Sequence, residues 1–235
     1  MDNERQEDEL SILFEDNHII VVMKPQNVAS CPDESGDDNM LDRIKNYVKE
    51  KYQKPGNVYI GLVHRLDRPT GGVMIFAKTS KAAGRLSEQM KTGDFEKRYF
   101  AVINGAPHSE RGTLNNYLKK NTVNNMVYLC TQGTEGARFA SLDYCIVQKA
   151  DALALAEIKL HTGRSHQIRV QMAGINHPVY GDMRYGVPTQ KGKLALWAYS
   201  LTVTHPVTKE RMRFVCEPPK DTLPWNKFDI DSALL

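Results

Sequence analysis

Only four cysteines, Cys31, Cys130, Cys145 and Cys216, occur in the 235 residues, and no two form a CxxC pair. A zinc ribbon and a thioredoxin-type redox site both use that spacing, so both are disfavoured. Four scattered thiols in a chain of this size read as reduced cysteines of a cytosolic protein rather than as a disulfide scaffold. No apolar run approaches the roughly 18 residues that span a bilayer. The opening MDNERQEDEL is acidic and polar, unlike a secretory signal. Walker loop, GxGxxG and GxSxG are all absent, so nothing implies a nucleotide cofactor or a serine-hydrolase elbow. His161 and His166 lie near each other in sequence, but no carboxylate or cysteine completes a ligand set, and no metal is expected.

What is present is ordinary globular composition, 41% hydrophobic and 25% charged, with a net charge of +3. The charge is unevenly spread. Residues 1–42 hold two basic and twelve acidic residues, whereas 43–235 hold 29 basic and 16 acidic. A body with a net charge of +13 suits a polyanionic partner such as nucleic acid. A solvated lysine-rich surface is the plainer alternative.

Residues 1–9 are expected to be disordered, 10–220 to form one compact domain, and 221–235 to be a polar tail with a few apolar anchors. Leu10–Phe14 and His18–Met23 read as strands around a Glu15-Asp16-Asn17 turn, the second ended by Lys24-Pro25. Asn39 caps a helix carrying Leu41, Ile44 and Val48 on one face. Val58–Leu62 and Val73–Ala77 are strand-like, and a helix runs from Thr79 or Ser80 to Gly93. Arg98–Asn104 is a strand, and 105–137 hold short strands and loops. Phe139–Gln148 and Ala152–His161 form a hairpin, and Gly163–Ala173 a short helix capped by Ser165. Leu194–Thr204 and Arg211–Cys216 close the chain's strands around a His205-Pro206 turn. Strands outnumber helices without strict alternation, so the fold class is α+β with a mostly antiparallel or mixed sheet.

Three stretches crowd reactive side chains where the backbone turns. In His64-Arg65-Leu66-Asp67-Arg68-Pro69-Thr70-Gly71-Gly72, proline and glycines enforce a loop between apolar strands. A nearby guanidinium would keep Asp67 ionised as nucleophile or base. A loop aspartate accepting backbone N–H groups is the structural alternative. In Lys97-Arg98-Tyr99-Phe100-Ala101, alternation puts Tyr99 and Ala101 on one face and Arg98 and Phe100 on the other. Tyr99 can stack on a base, move a proton, or pack across strands. In His161-Thr162-Gly163-Arg164-Ser165-His166-Gln167-Ile168-Arg169, a helix start with free N–H groups favours an anion or a carbonyl oxygen. The alternative is a solvated basic face.

Taken together, these stretches resemble the RluA-type family of RNA pseudouridine synthases from about Ile12 to Pro219. FEDNHIIVVMKP resembles the family's opening strands, GLVHRLDRPTGGVMIFAKT its central catalytic motif and KRYFAVINGAP its tyrosine motif. LHTGRSHQIRVQMAGINHPVYGDMRYG resembles its third and longest motif, and LWAYSLTVTHPVTKE its closing strands. The resemblance implies a mostly antiparallel mixed sheet flanked by helices and loops, with a catalytic cleft across it. It implies that Asp67 is the catalytic aspartate, Tyr99 the active-site tyrosine, and Arg169 the arginine that pairs with the aspartate. Arg65 and Thr70 fall at loop positions that shape the site and contact RNA. His64, Arg164, His166 and Gln167 fall at substrate-binding positions. Two residues depart from the family's pattern: Gly71 stands where a serine is usual, and Gln171 where a histidine follows HQIRV.

The implied reaction breaks the N1–C1′ bond of a uridine in RNA, rotates the uracil and bonds C5 to C1′. The product is an isomer, so no cofactor or metal is called for. A stacked base must be flipped out to reach a buried carboxylate, at a cost of a few kcal/mol. Attack at C1′, attack at C6 and removal of the C2′ proton all remain compatible with Asp67. The expected partner is a ribosomal or transfer RNA stem-loop, met by a cytoplasmic monomer without membrane contact. An additional S4-like RNA-binding domain is not expected, since the first strand begins near residue 11. One rival is a non-catalytic RNA-binding or ribosome-assembly protein on the same fold. Another is a nucleoside or sugar hydrolase, although hydrolysis usually wants two flanking carboxylates.

Overall fold

The structure, a computed structural model, describes residues 10–234 apart from 189 and 191. The disorder expected for residues 1–9 lies outside the described residues. The chain falls into two compact units. The first runs up to Phe95 and includes Ser200–Cys216; the second comprises Glu96–Tyr199 and the residues from Glu217 on.

In the first unit, β1 (Ile12–Glu15) and β2 (Ile19–Lys24) form the expected hairpin. Asp16 closes it by accepting the His18 and Ile19 amides, both at 2.8 Å. β2 then pairs antiparallel with β4 (Gly71–Ala77), and the two-residue β3 (Gly61–Leu62) lies on β4's other edge. β4 is buried along its whole length, which is why GGVMIFA is an unbroken small and apolar run rather than an alternating one. Helix α1 (Met40–Lys51) starts at Asn39, whose side chain accepts the Asp42 amide. Its buried face is Met40, Ile44 and Val48; Leu41, expected on that face, is half-buried because a strict spacing of four selects its neighbour. Helix α2 (Ser80–Thr92) is capped by Thr79 and ended by Gly93 in the left-handed region, φ 85°. Its Ala82 and Leu86 join Ile19, Val21, Val73 and Ile75 in the core.

Glu15, at the end of β1, receives Tyr47 and Lys51 from α1, Tyr52 just beyond it, and Lys78. Burial opposes its ionisation, but these donors together outweigh burial and hold its pKa at about 2. A carboxylate depressed on folding contributes stability above its unfolded value near 4.5 and loses it as pH falls toward 2. Glu15→Gln is therefore expected to lower stability at pH 7 by about 2 kcal/mol, a figure reduced by the exposure of Lys51. The difference should shrink at pH 3. Denaturant titrations at the two pH values check this, and equal losses at both would reject it.

The second unit holds a sheet of β5 (Glu96–Asn104), β6 (Arg111–Lys120), β7 (Val127–Cys130), β8 (Arg138–Ala150) and β9 (Leu153–Leu160). Its strand order is β5-β9-β8-β6-β7, antiparallel throughout. Helix α3 (Gln167–Gly174) lies against β6 and β7, with Val170 packed among Leu118, Val127 and Ala140. A Cβ at Gly174 would come 2.4 Å from Leu129 Cδ1, so a larger residue there would force the exposed Leu129 side chain to turn aside. Trp225 and Ile230 are the tail's buried anchors. β10 (Leu196–Thr204) runs through the boundary between the units, and its residues from Ser200 pair antiparallel with β11 (Arg211–Val215). The α+β expectation with a mostly antiparallel sheet holds.

Candidate active site

In the first unit, the register places Lys24 at the end of β2 opposite Gly72 at the start of β4. The segments leaving β2 and entering β4 therefore run side by side, and residues 24–30 brace the loop that carries Asp67. Lys24 Nζ donates to the carbonyls of Pro25, Val28 and Arg68 at 2.9, 2.7 and 3.0 Å. Asn27 N–H donates to the same Arg68 carbonyl at 2.8 Å. Ser30 Oγ donates to Leu66 O and accepts from Leu66 N at 2.8 and 3.1 Å. Both residues flanking Asp67 are thus fixed through their backbone, and Asp67 itself is half-buried, its carbonyl accepting Thr70 N–H at 2.9 Å.

The Lys24 side chain is fully buried. Burial drives its pKa down to about 7, the Asp67 carboxylate raises it, and Arg68 lowers it further. Three carbonyl acceptors call for three N–H donors, so the hydrogen bonds themselves favour the ammonium form. Arg68 points elsewhere, to Asp33, Ser35 and Asp37 at 2.6 to 2.8 Å.

His64 Nε2 accepts Ile75 N–H at 3.2 Å, and its ring meets Phe95 edge-on, so this side chain pins the loop to β4. Arg65 is exposed. Thr70 is buried, and its hydroxyl has no hydrogen-bond partner among the described residues. An unsatisfied buried hydroxyl costs free energy unless something arrives to bond it.

In the second unit, Tyr99 is 6% exposed on β5, opposite Ile158 of β9. Arg169, on α3, is buried and forms a two-pronged ion pair: Nε and Nη2 donate to Asp182 Oδ2 and Oδ1, both at 2.7 Å. Asp182 also accepts the backbone N–H groups of Arg184 and Tyr185. Burial opposes its charge, but Arg169 and these amides prevail and hold it below the usual carboxylate range. The Tyr185 ring lies 5.3 Å from the Arg169 guanidinium carbon. Its hydroxyl accepts Val127 N–H and lies 2.8 Å from His166 Nδ1.

The expected Ser165 cap is not observed. The residue preceding α3 is His166, in the left-handed region at φ 51° with no side-chain cap. The loop before it is held instead by Gln167, whose Oε1 accepts Thr162 Oγ1 and Arg164 N and whose Nε2 donates to Ser141 O. Gln171, the second departure, is 1% exposed and donates to Leu114 O and Asn116 Oδ1, which ties α3 to β6. Among the described residues, no three His, Cys, Asp or Glu side chains gather as a metal would require. Among the same residues, no helix is long and apolar enough to cross a membrane.

The family model for RNA pseudouridylate synthase matches residues 18–174, a span that contains Asp67, Tyr99 and Arg169. The chain belongs to this family, in its RluA-type branch. It is 35% identical to an uncharacterized RNA pseudouridine synthase, YjbO, of Bacillus subtilis, over 90% of this chain and 74% of that protein. It is 32% identical to ribosomal large subunit pseudouridine synthase D of Zymomonas mobilis, over 93% and 72% respectively. It is also 32% identical to the dual-specificity RNA pseudouridine synthase RluA of Haemophilus influenzae, over 87% and 91%. The human RNA pseudouridylate synthase domain containing 4 shares the fold, with a TM-score of 0.75, 22% identity and coverage of 90% and 89%.

The protein is therefore an RNA pseudouridine synthase, an isomerase of uridine in RNA. Sequence reasoning passed over three residues of this synthase. Lys24 reads in sequence only as the end of a strand, although a lysine closing IIVVM departs from an otherwise apolar run. Asp182 and Tyr185 lie within the longest motif, but with no fixed spacing to Arg169 that local periodicity could reveal.

Proposed function

We propose that the synthase uses Asp67 as its nucleophile on a uridine flipped out of a ribosomal or transfer RNA stem-loop. The observation that carries this reading is the Asp67 loop: a half-buried aspartate whose neighbours on both sides are fixed through their backbone by residues 24–30. Rigid placement of the reacting group is what such a reaction needs, because the barrier falls when the attacking atom is held in place. Arg169 pairs with Asp67 during the reaction and keeps it ionised and oriented. Tyr99 lies against the uracil and assists proton movement. Arg65, Thr70, Arg164, His166 and Gln167 bind RNA around that base, and the Thr70 hydroxyl finds its partner there. His64 supports the loop from behind.

Residues 10–220 act as the catalytic domain of a cytoplasmic monomer that needs no metal or cofactor, and the acidic residues 1–9 stay outside the chemistry. The rival reading, an RNA-binding assembly factor without turnover, leaves the bracing of Asp67 without a purpose. Forming the C5–C1′ bond expels the hydrogen on C5. Tritium should therefore be released from RNA labelled at uridine C5 and made without this enzyme. Release from ribosomal or transfer RNA fractions is expected. Absence of release from both, and from assembled ribosomal particles, would favour the assembly factor.

A further inference from the structure

Lys97 and Arg164, both in the second unit, make a pair of cations that no carboxylate answers. Lys97 and Tyr99 stand on β5 opposite Leu160 and Ile158 of β9, so alternation puts both side chains on one face. The Lys97 ammonium lies over Gly163: a Cβ built there would be 3.1 Å from its Nζ. Arg164 follows directly, held by its Nε on Phe139 O at 2.9 Å and by its backbone N–H on Gln167 Oε1 at 3.0 Å. Among the described residues, Lys97 has no hydrogen-bond acceptor and neither cation has an acidic partner. Burial and then repulsion from Arg164 push the Lys97 ammonium below its ordinary pKa. Two like charges brought together in a half-buried place cost free energy unless an anion lies between them.

We propose that Lys97 and Arg164 together seat one backbone phosphate of the RNA beside the base that faces Tyr99. This rests on the reading that Tyr99 faces the target uracil. Two residues of strand span about 7 Å, so the phosphate next to that base falls within reach of the pair. The resemblance points to Arg164 as an RNA contact, but it gives no role to Lys97 and does not join the two on one phosphate.

The test uses the full chain, with Lys97→Met, Lys97→Arg, Arg164→Met and the Lys97→Met/Arg164→Met double variant. The probe is a fluorescent ten-residue oligouridylate, with affinity measured between 50 and 200 mM salt as in ordinary salt titrations. Lys97→Met is expected to weaken binding about tenfold at the low-salt end and to reduce the slope of log K against log salt by about 0.7, the value for one phosphate on a single strand. Lys97→Arg should keep both. Because one phosphate is shared, the double variant should lose less than the product of the two single losses. In tritium release, the effect of Lys97→Met should fall on KM. An unchanged slope, fully multiplicative losses, a defect confined to kcat, or a wild-type chain that does not bind oligouridylate would each overturn the proposal. Oligouridylate binding requires no turnover. A Lys97-dependent slope in a protein that releases no tritium would retain the phosphate seat and reject the Asp67 chemistry.

Discussion

Asp67→Asn is expected to abolish turnover while leaving the protein folded and able to bind RNA. The substitution keeps the side chain's shape and removes its charge and nucleophilicity. Asp33 and Asp37, the carboxylates paired with the neighbouring Arg68, are held by its guanidinium and are not free to take over. Loss of a nucleophile usually costs on the order of 10⁴-fold or more. The loop should survive, since Leu66 and Arg68 are held through their backbone by Ser30, Asn27 and Lys24 rather than through the Asp67 side chain. One structural effect is expected. Asp67 raises the pKa of the buried Lys24, so its neutralisation should make that lysine easier to deprotonate and lower stability by about 1 kcal/mol. Single-turnover tritium release, a denaturant midpoint and an RNA-binding isotherm on the same preparation separate these effects. Retention of a tenth of wild-type turnover by both Asp67→Asn and Asp67→Ala would reject Asp67 as the nucleophile.

Most of the first unit could be read from local chemistry. The hairpin needs only two apolar runs and an aspartate that accepts amides in its turn. α2 carries its start signal, Thr79, and its stop signal, Gly93, in plain view. Asp67 was visible because proline and glycines force a loop exactly where charged residues interrupt apolar strands, and the family motifs then raised that candidate above its structural alternative. What escaped local reading is set by tertiary contact. α3 looks capped by Ser165 because Ser is the usual residue there, yet Gln167 already satisfies the loop's amide and leaves His166 to make the left-handed turn. Lys24 looks like no more than a strand end, because only the pairing of Lys24 with Gly72 brings the Arg68 carbonyl to its ammonium. Met40 rather than Leu41 enters the core beside Ile44 and Val48, a strict spacing of four where the amphipathic pattern tolerates either residue.

The ion pair between Arg169 and Asp182 is the case where structure and chemistry can be pulled apart. The Asp182 carboxylate is fully buried and Arg169 nearly so, at 0% and 5% side-chain exposure. Asp182→Asn keeps an oxygen that can accept the Arg184 and Tyr185 amides but leaves a buried guanidinium without its counter-charge. Breaking such a pair typically costs about 3–5 kcal/mol. Turnover is expected to fall about 100-fold as well, since an electrostatic partner lost near the reacting groups is commonly worth that much. Acid should mimic the substitution: Asp182 is depressed on folding, so its contribution is complete above the unfolded carboxylate value and is lost as pH falls through the folded one. Replacing both partners, Arg169→Met with Asp182→Leu, removes both buried charges and should recover much of the stability. It should not recover turnover if, as proposed above, Arg169 acts on Asp67 during the reaction. A double variant with restored stability and restored tritium release would show that the arginine serves the fold alone. Restored stability with no release is the expected result, and it would assign Arg169 to the reaction independently of its part in holding α3 to the Asp182 loop.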